Sequence, residues 1–226
     1  MKEIIYTLLT DGSSDRRLIP ILTWLLRQHC PEMVIVGRWV DLSDRPPKKK
    51  QKNQPKEKPL ESKIKTALAR HYCDILFVHR DAETISNYNE RVIEIQRAIK
   101  KLSADHQARP TICVVTVRMT EAWLLFNETA IRIASGNKKG RKPLELPGLK
   151  GIEDKPYLKA VLEQSLITAS EFKGGRRLAR FKRDISERAF NVAENIEDFS
   201  PLRELKAFQS LEAELKEVLG KMSCCL

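Results

Sequence analysis

Asp74-Ile75-Leu76-Phe77-Val78-His79-Arg80-Asp81-Ala82-Glu83 is the stretch on which the fold turns. Its first half, 74–79, is short and nearly continuous in apolar side chains, which is how a strand covered by helices on both faces reads. Two further segments share the pattern: 3–10 runs into Asp11, and 111–117 runs towards Glu121. In an open parallel sheet, ligands sit outside the carboxyl ends of the strands. Asp11, Asp81, Glu83 and Glu121 are therefore expected to converge on one crevice, and that crevice is expected to hold a metal.

Helical spacing fills the gaps between these strands. Residues 15–28 carry Leu18, Ile19, Leu22, Leu25 and Leu26 on one face, and Pro20 either sits near the helix start or kinks it. A second strand is expected over 33–40 and a helix over 60–71, with Ile64 and Leu68 facing inward. From about Ser86, Tyr88, Val92, Ile95, Ile99 and Leu102 recur at spacings of three and four. A further helix is expected to open near Thr120, with Ala122 to Phe126 in its first turns. Strands alternating with helices predict an α/β fold, a Rossmann-like, mostly parallel, doubly wound sheet over residues 1–135.

Beyond residue 136 the pattern changes. Residues 136–156 are rich in Gly, Pro and Lys and read as an exposed connection, a flap over the crevice. Helices are expected over 156–168, 181–194 and 201–221, so 136–226 reads as a linker and a helical C-terminal part packed on the core. In the last helix Leu202, Leu205, Phe208, Leu211, Leu215, Val218 and Leu219 form one apolar stripe, suited to the chain's own sheet or to a partner helix.

The 226 residues carry a formal net charge of +11, and the charge is clustered. One cluster lies in 41–59, among prolines and amides, and reads as a basic mobile loop. A second is 138–142, and a third is Lys173, Arg176, Arg177, Arg180, Lys182 and Arg183. Together with Arg80 and Arg118, the third cluster is the expected nucleic-acid-binding surface, because clustered cations concentrate polyanions and supply affinity without reading sequence. The five cysteines show none of the paired spacings of a zinc site or a disulfide framework, which points to a reducing, cytoplasmic setting. No stretch approaches the roughly 18–20 apolar residues of a membrane span, and the N-terminus lacks a signal-peptide pattern.

Each acid has a bland reading beside the functional one. Asp11-Gly12-Ser13-Ser14-Asp15 is an ordinary strand-to-helix turn if taken alone, and a first-turn glutamate such as Glu121 is favoured by the helix dipole. Asp81 and Glu83, two residues apart, suit Mg²⁺ or Mn²⁺ held by carboxylates, water and substrate phosphate. The four histidines form no i, i+4 ligand pair, and neither a G-x-S-x-G elbow nor a glycine-rich nucleotide loop is present.

A strand ending in acid-Gly-x-x-Asp, followed by a strand ending in Asp-x-acid, resembles the Toprim fold of topoisomerases, primases and overcoming-lysogenization-defect nucleases. Arg118-Met119-Thr120-Glu121-Ala122-Trp123-Leu124-Leu125, and the acidic helix leading to Phe199-Ser200-Pro201 and Phe208, are similar to small bacterial Toprim-like proteins that accompany an ATPase in anti-phage defence. The resemblance implies a Mg²⁺- or Mn²⁺-dependent hydrolase cleaving DNA or RNA, an antiviral or toxin effector with an ATPase partner. It places Asp11 at the family's glutamate, as general base or ligand, and Asp81 and Glu83 at the metal-holding Asp-x-Asp. Glu121 would complete a second metal position. Two positions depart from the pattern: Asp11 is shorter than glutamate, and Glu83 longer than aspartate. The alternative reading keeps the fold without the chemistry, as a regulatory or nucleic-acid-binding subunit, oligomeric or not, that docks on an ATPase through its last helix.

Overall fold

In a computed structural model, residues 2–10, 12–41, 59–107, 109–118 and 120–222 are described. The basic segment expected as a mobile loop lies, over 42–58, outside them, as does Asp11. The strands are β1 (Glu3–Thr10), β2 (Val34–Asp41), β3 (Ile75–Ala82) and β4 (Thr111–Val117). The helices are α1 (Leu18–His29), α2 (Leu60–Arg70), α3 (Tyr88–Lys100), α4 (Ala104–Gln107), α5 (Glu128–Ala134), α6 (Leu158–Ser170), α7 (Gly175–Arg183), α8 (Ile185–Glu194) and α9 (Lys206–Met222). The fold is α/β: a four-stranded, all-parallel sheet in the order β2-β1-β3-β4, flanked by helices, with a helical C-terminal region.

The central strands are covered on both faces. Tyr6 to Thr10 and Ile75 to His79 are buried without alternation, as a parallel sheet between helical layers requires. β2, at one edge, is half exposed. β4, at the other, is buried beneath α3 and α9. Glu214 of α9 also accepts a hydrogen bond from the Cys113 N–H at 3.2 Å, so that edge is closed by a side chain. Burial there pushes the Cys113 thiol up to about 12. Cys73 and Cys113 are free and buried, whereas Cys30 is disulfide-bonded, which the cysteine spacing did not foretell.

Tyr6 shows how tightly β1 and β2 are matched. It pairs in register with Gly37, its ring meets Phe77 edge-on at 5.4 Å, and its hydroxyl donates to the Ile19 carbonyl at 2.9 Å. The ring needs the space a side chain would fill, because a Cβ on residue 37 would lie 2.5 Å from Tyr6 Cζ. Gly37→Ala is expected to cost about 1–3 kcal/mol by overpacking. A urea melt reads this as a lower midpoint at unchanged slope; an unshifted midpoint would show that the ring moves aside freely.

Several expected boundaries move. β3 continues three residues past the apolar run, since Arg80, Asp81 and Ala82 still pair with Val115, Thr116 and Val117. No α-helix opens near Thr120: Thr120–Trp123 is a 3-10 turn, and α5 starts only after Asn127, whose Oδ1 caps the Ala130 N–H at 2.9 Å. The helix expected over 181–194 is two helices meeting at Asp184. Pro201 lies in a 3-10 turn, Ser200–Glu204, ahead of α9. Pro20 falls in the first turn of α1, where its missing N–H costs nothing.

The apolar stripe of the last helix is turned inward. Phe208, Leu211, Leu215 and Leu219 are buried, α9 packs on β4, and Phe208 meets Trp123 edge-on at 5.4 Å. Residues 136–156 are not a free flap: Leu144 and Ile152 are buried, and the Arg141 and Lys142 N–H groups donate to Glu171 Oε1 at 2.7 and 3.0 Å. Among the described residues no helix is long and apolar enough to cross a membrane.

Candidate metal centre

Strand order decides where a site belongs. The chain leaves β1 for β2 on one side and leaves β3 for β4 on the other, so the adjacent carboxyl ends of β1 and β3 form the topological switch point. Beyond β1 runs a 3-10 turn, Ser13–Arg17, which carries Asp15 into that crevice. On β3, His79 and Asp81 are two residues apart and project from the same face of the sheet.

These three side chains converge. One ligand atom from each of Asp15, His79 and Asp81 lies within 4.8 Å of the others, the one such group found among the described residues. His79 Nε2 is 3.5 Å from Asp81 Oδ1 and 3.9 Å from Asp15 Oδ2. Its Nδ1 lies 2.9 Å from the Val114 carbonyl, an acceptor only, so the Nδ1 proton is fixed there and Nε2 is aimed at the carboxylates. His79 is 3% exposed, and among the described residues its Nε2 makes no hydrogen bond of good geometry, only these two ion-pair contacts. The Thr116 hydroxyl donates to Asp81 Oδ1 at 2.6 Å, and the Thr120 hydroxyl stands 3.4 Å from Asp15 Oδ1. Asp15 is 9% exposed while the Asp81 side chain is 39% exposed, so the group opens to solvent on the Asp81 side.

Burial pushes the Asp15 carboxyl above its usual range, against the pull of His79. Burial alone would lower His79, but the Asp81 and Asp15 carboxylates outweigh it and raise the imidazole. For Asp81 burial is likewise outweighed, here by His79 and the Thr116 hydroxyl, and its carboxyl is held low. Two carboxylates and an imidazole nitrogen are a set a divalent cation takes once it displaces the Nε2 proton, with the carbonyl-bound Nδ1–H as the orienting outer contact.

The expected residues are partly rearranged. Asp81 is in the group. Glu83 is exposed, one residue past the end of β3, and takes no part. Glu121 is 3% exposed and accepts from Arg17 Nη1 at 2.6 Å, so it is the counter-charge of a buried guanidinium and not a ligand. Arg80 projects from the opposite face of β3 and pairs with Glu94 of α3, away from a polyanion surface. Arg118 begins the segment after β4 with φ of 59°, a strained value for a non-glycine residue, and its N–H donates to the Ala82 carbonyl. Arg176, Arg177, Arg180, Lys182 and Arg183 stand exposed on α7, with Lys173 just ahead of it. Arg180 and Arg183 face Asp184 at 4.0 and 3.6 Å; Lys173, Arg176, Arg177 and Lys182 form no ion pair among the described residues.

Two members of the group were missed. In the sequence Asp15 reads as the end of a turn motif, whereas the 3-10 turn Ser13–Arg17 faces it back over the sheet. His79 carries no i, i+4 ligand partner, a helical spacing that a strand histidine with an acid at i+2 does not show. A scan against protein-family models, a search of curated proteins and a search of solved structures found no match for this chain.

Proposed function

We propose that the chain is a divalent-metal-dependent nuclease whose metal is held by Asp15, His79 and Asp81. The observation that carries this reading is the convergence of Asp15, His79 and Asp81 at the switch point of the sheet, with the buried Nε2 of His79 held by its Nδ1 contact so that it faces both carboxylates at 3.5 and 3.9 Å. A bound metal would polarise a phosphodiester and lower the pKa of a coordinated water. The protein's own part is to fix the ligands: Val114 sets the imidazole, Thr116 sets Asp81, and the partly exposed Asp81 leaves the side on which a phosphate enters. The net charge of +11 and the exposed cations of α7 favour a polyanionic substrate.

The Toprim resemblance supports the same reaction, with Asp81 as a shared ligand, and adds its setting: a cytoplasmic effector of anti-phage defence working beside an ATPase. The alternative of a non-catalytic subunit docked through its last helix loses its surface, since that apolar stripe lies inside the chain's own core. The test is cleavage of supercoiled plasmid and of total tRNA with Mn²⁺ by wild type, Asp15→Ala and Asp81→Ala. Wild type is expected to cut one of the two. Each variant is expected to lose about 100-fold or more, since even an outer partner of a ligand is worth about 10–100-fold. Undiminished cutting by Asp81→Ala, or none by wild type, would overturn the proposal.

A further inference from the structure

A second feature lies along α6. Two shallow hollows of about 560 and 760 Å³ share Lys142, Gln164 and Thr168 in their walls and so form one groove between α6 and the 136–156 segment. Tyr157 stands at one end, and Phe172 with Lys173 at the other. Tyr157 is 81% exposed and Phe172 38%. The two aromatics bracket the 13-residue helix α6, about 20 Å at 1.5 Å per residue.

Backbone strain is concentrated in the same place. Of the four non-glycine residues described at positive φ, Glu145, Tyr157 and Glu171 all line this groove. Such conformations cost free energy and gather at ligand clamps. Glu171 ends α6, where a left-handed residue is common. Tyr157 has no such excuse: it is a bulky side chain held at φ of 62° and turned to solvent, so the strain is not repaid by burial.

Three cations and two carboxylates, Glu145 and Glu171, line the groove, and one of the carboxylates is taken up by backbone N–H groups. Arg141, Lys142 and Lys173 line the groove without ion pairs among the described residues. The Glu171 carboxylate opposite them is occupied by the Arg141 and Lys142 N–H groups, which fixes the backbone beneath both cations. Lys173 leads through Gly174 and Gly175 into the basic face of α7. Arg183, at the far end of α7, lines a third hollow of about 630 Å³ with Ser13 and Arg16, on the turn that carries Asp15.

We infer that the α6 groove binds single-stranded nucleic acid, with nucleobases stacked on Tyr157 and Phe172 and phosphates on Arg141, Lys142 and Lys173. Exposed aromatics among cations are how unpaired strands are held, and a duplex offers no free base face to stack. That α7 then leads the strand to the Asp15–His79–Asp81 group rests on the nuclease reading; binding in the groove does not.

The experiment is fluorescence anisotropy of the full chain with labelled 12-nucleotide DNA and RNA single strands and the matching duplexes, in EDTA. Single strands are expected to bind more tightly than duplexes. Tyr157→Ala is expected to weaken single-strand binding about 5- to 100-fold, with Tyr157→Phe restoring it. The Arg141→Ala/Lys142→Ala pair is expected to lower the salt slope by about 1–2. Equal binding of duplex and single strand, or unaltered binding by a folded Tyr157→Ala, overturns the inference. Because no metal is present, a working groove without cleavage refutes only the nuclease reading, and cleavage with an indifferent Tyr157 refutes only the groove.

Discussion

Glu121→Ala is expected to lower the unfolding free energy by about 3–5 kcal/mol, the cost of leaving a buried charge without its partner. The side chains of Arg17 and Glu121 are only 3% and 4% exposed and meet at 2.6 Å, so the stranded guanidinium has no route to water. At about 2–4 °C per kcal/mol for a chain of this size, the melting temperature falls by about 6–20 °C. Arg17→Ala is expected to do the same, while Arg17→Met with Glu121→Leu is expected to recover most of the loss, because both charges then leave together. The ion pair also ties the turn bearing Asp15 to the turn after β4, where Thr120 reaches Asp15. Glu121 is thus a positioning residue for a site it does not enter. A loss below about 1 kcal/mol in a urea melt would return Glu121 to the list of candidate ligands.

Manganese is expected to raise the melting temperature of the wild type and not that of His79→Ala. At an ion concentration about 100 times the dissociation constant, binding to the folded state adds about 2.7 kcal/mol, or about 5–10 °C. The comparison is made within each variant, with metal against EDTA, so the cavity left by the imidazole cancels. A nitrogen ligand also orders the ions. Mg²⁺ prefers oxygen donors and keeps its waters, whereas imidazole suits transition-type divalents. Mn²⁺ is therefore expected to act at lower concentration than Mg²⁺. Equal shifts in wild type and His79→Ala would remove His79 from the centre.

What the sequence made legible follows from which forces act locally. β1 and β4 were placed to the residue because burial on both faces writes itself as an unbroken apolar run. β3 was cut short at His79 because Arg80 and Asp81 are polar, yet ladder bonds to β4 do not depend on polarity. The crevice was legible as a consequence of strand order, but its occupants were not. Which acid turns inward depends on side-chain direction: Glu121 found Arg17, 104 residues distant in the chain, and Glu83 faced water. Helix α7 leaves little trace in the sequence because two glycines stand at its start and five cations fill it, with only Leu178 and Phe181 to anchor a face.

The carboxylate that closes the β4 edge also sets a timetable. Glu214 follows Cys113 by 101 residues. At roughly 5–20 residues per second, a ribosome needs about 5–20 seconds to make that interval. During it the nascent sheet has all four of its strands and all of its switch-point acids, but the outer edge of β4 lacks the carboxylate that closes it. The chain can therefore assemble its reactive end before it can finish its border, and α9 is the element whose arrival ends that exposure.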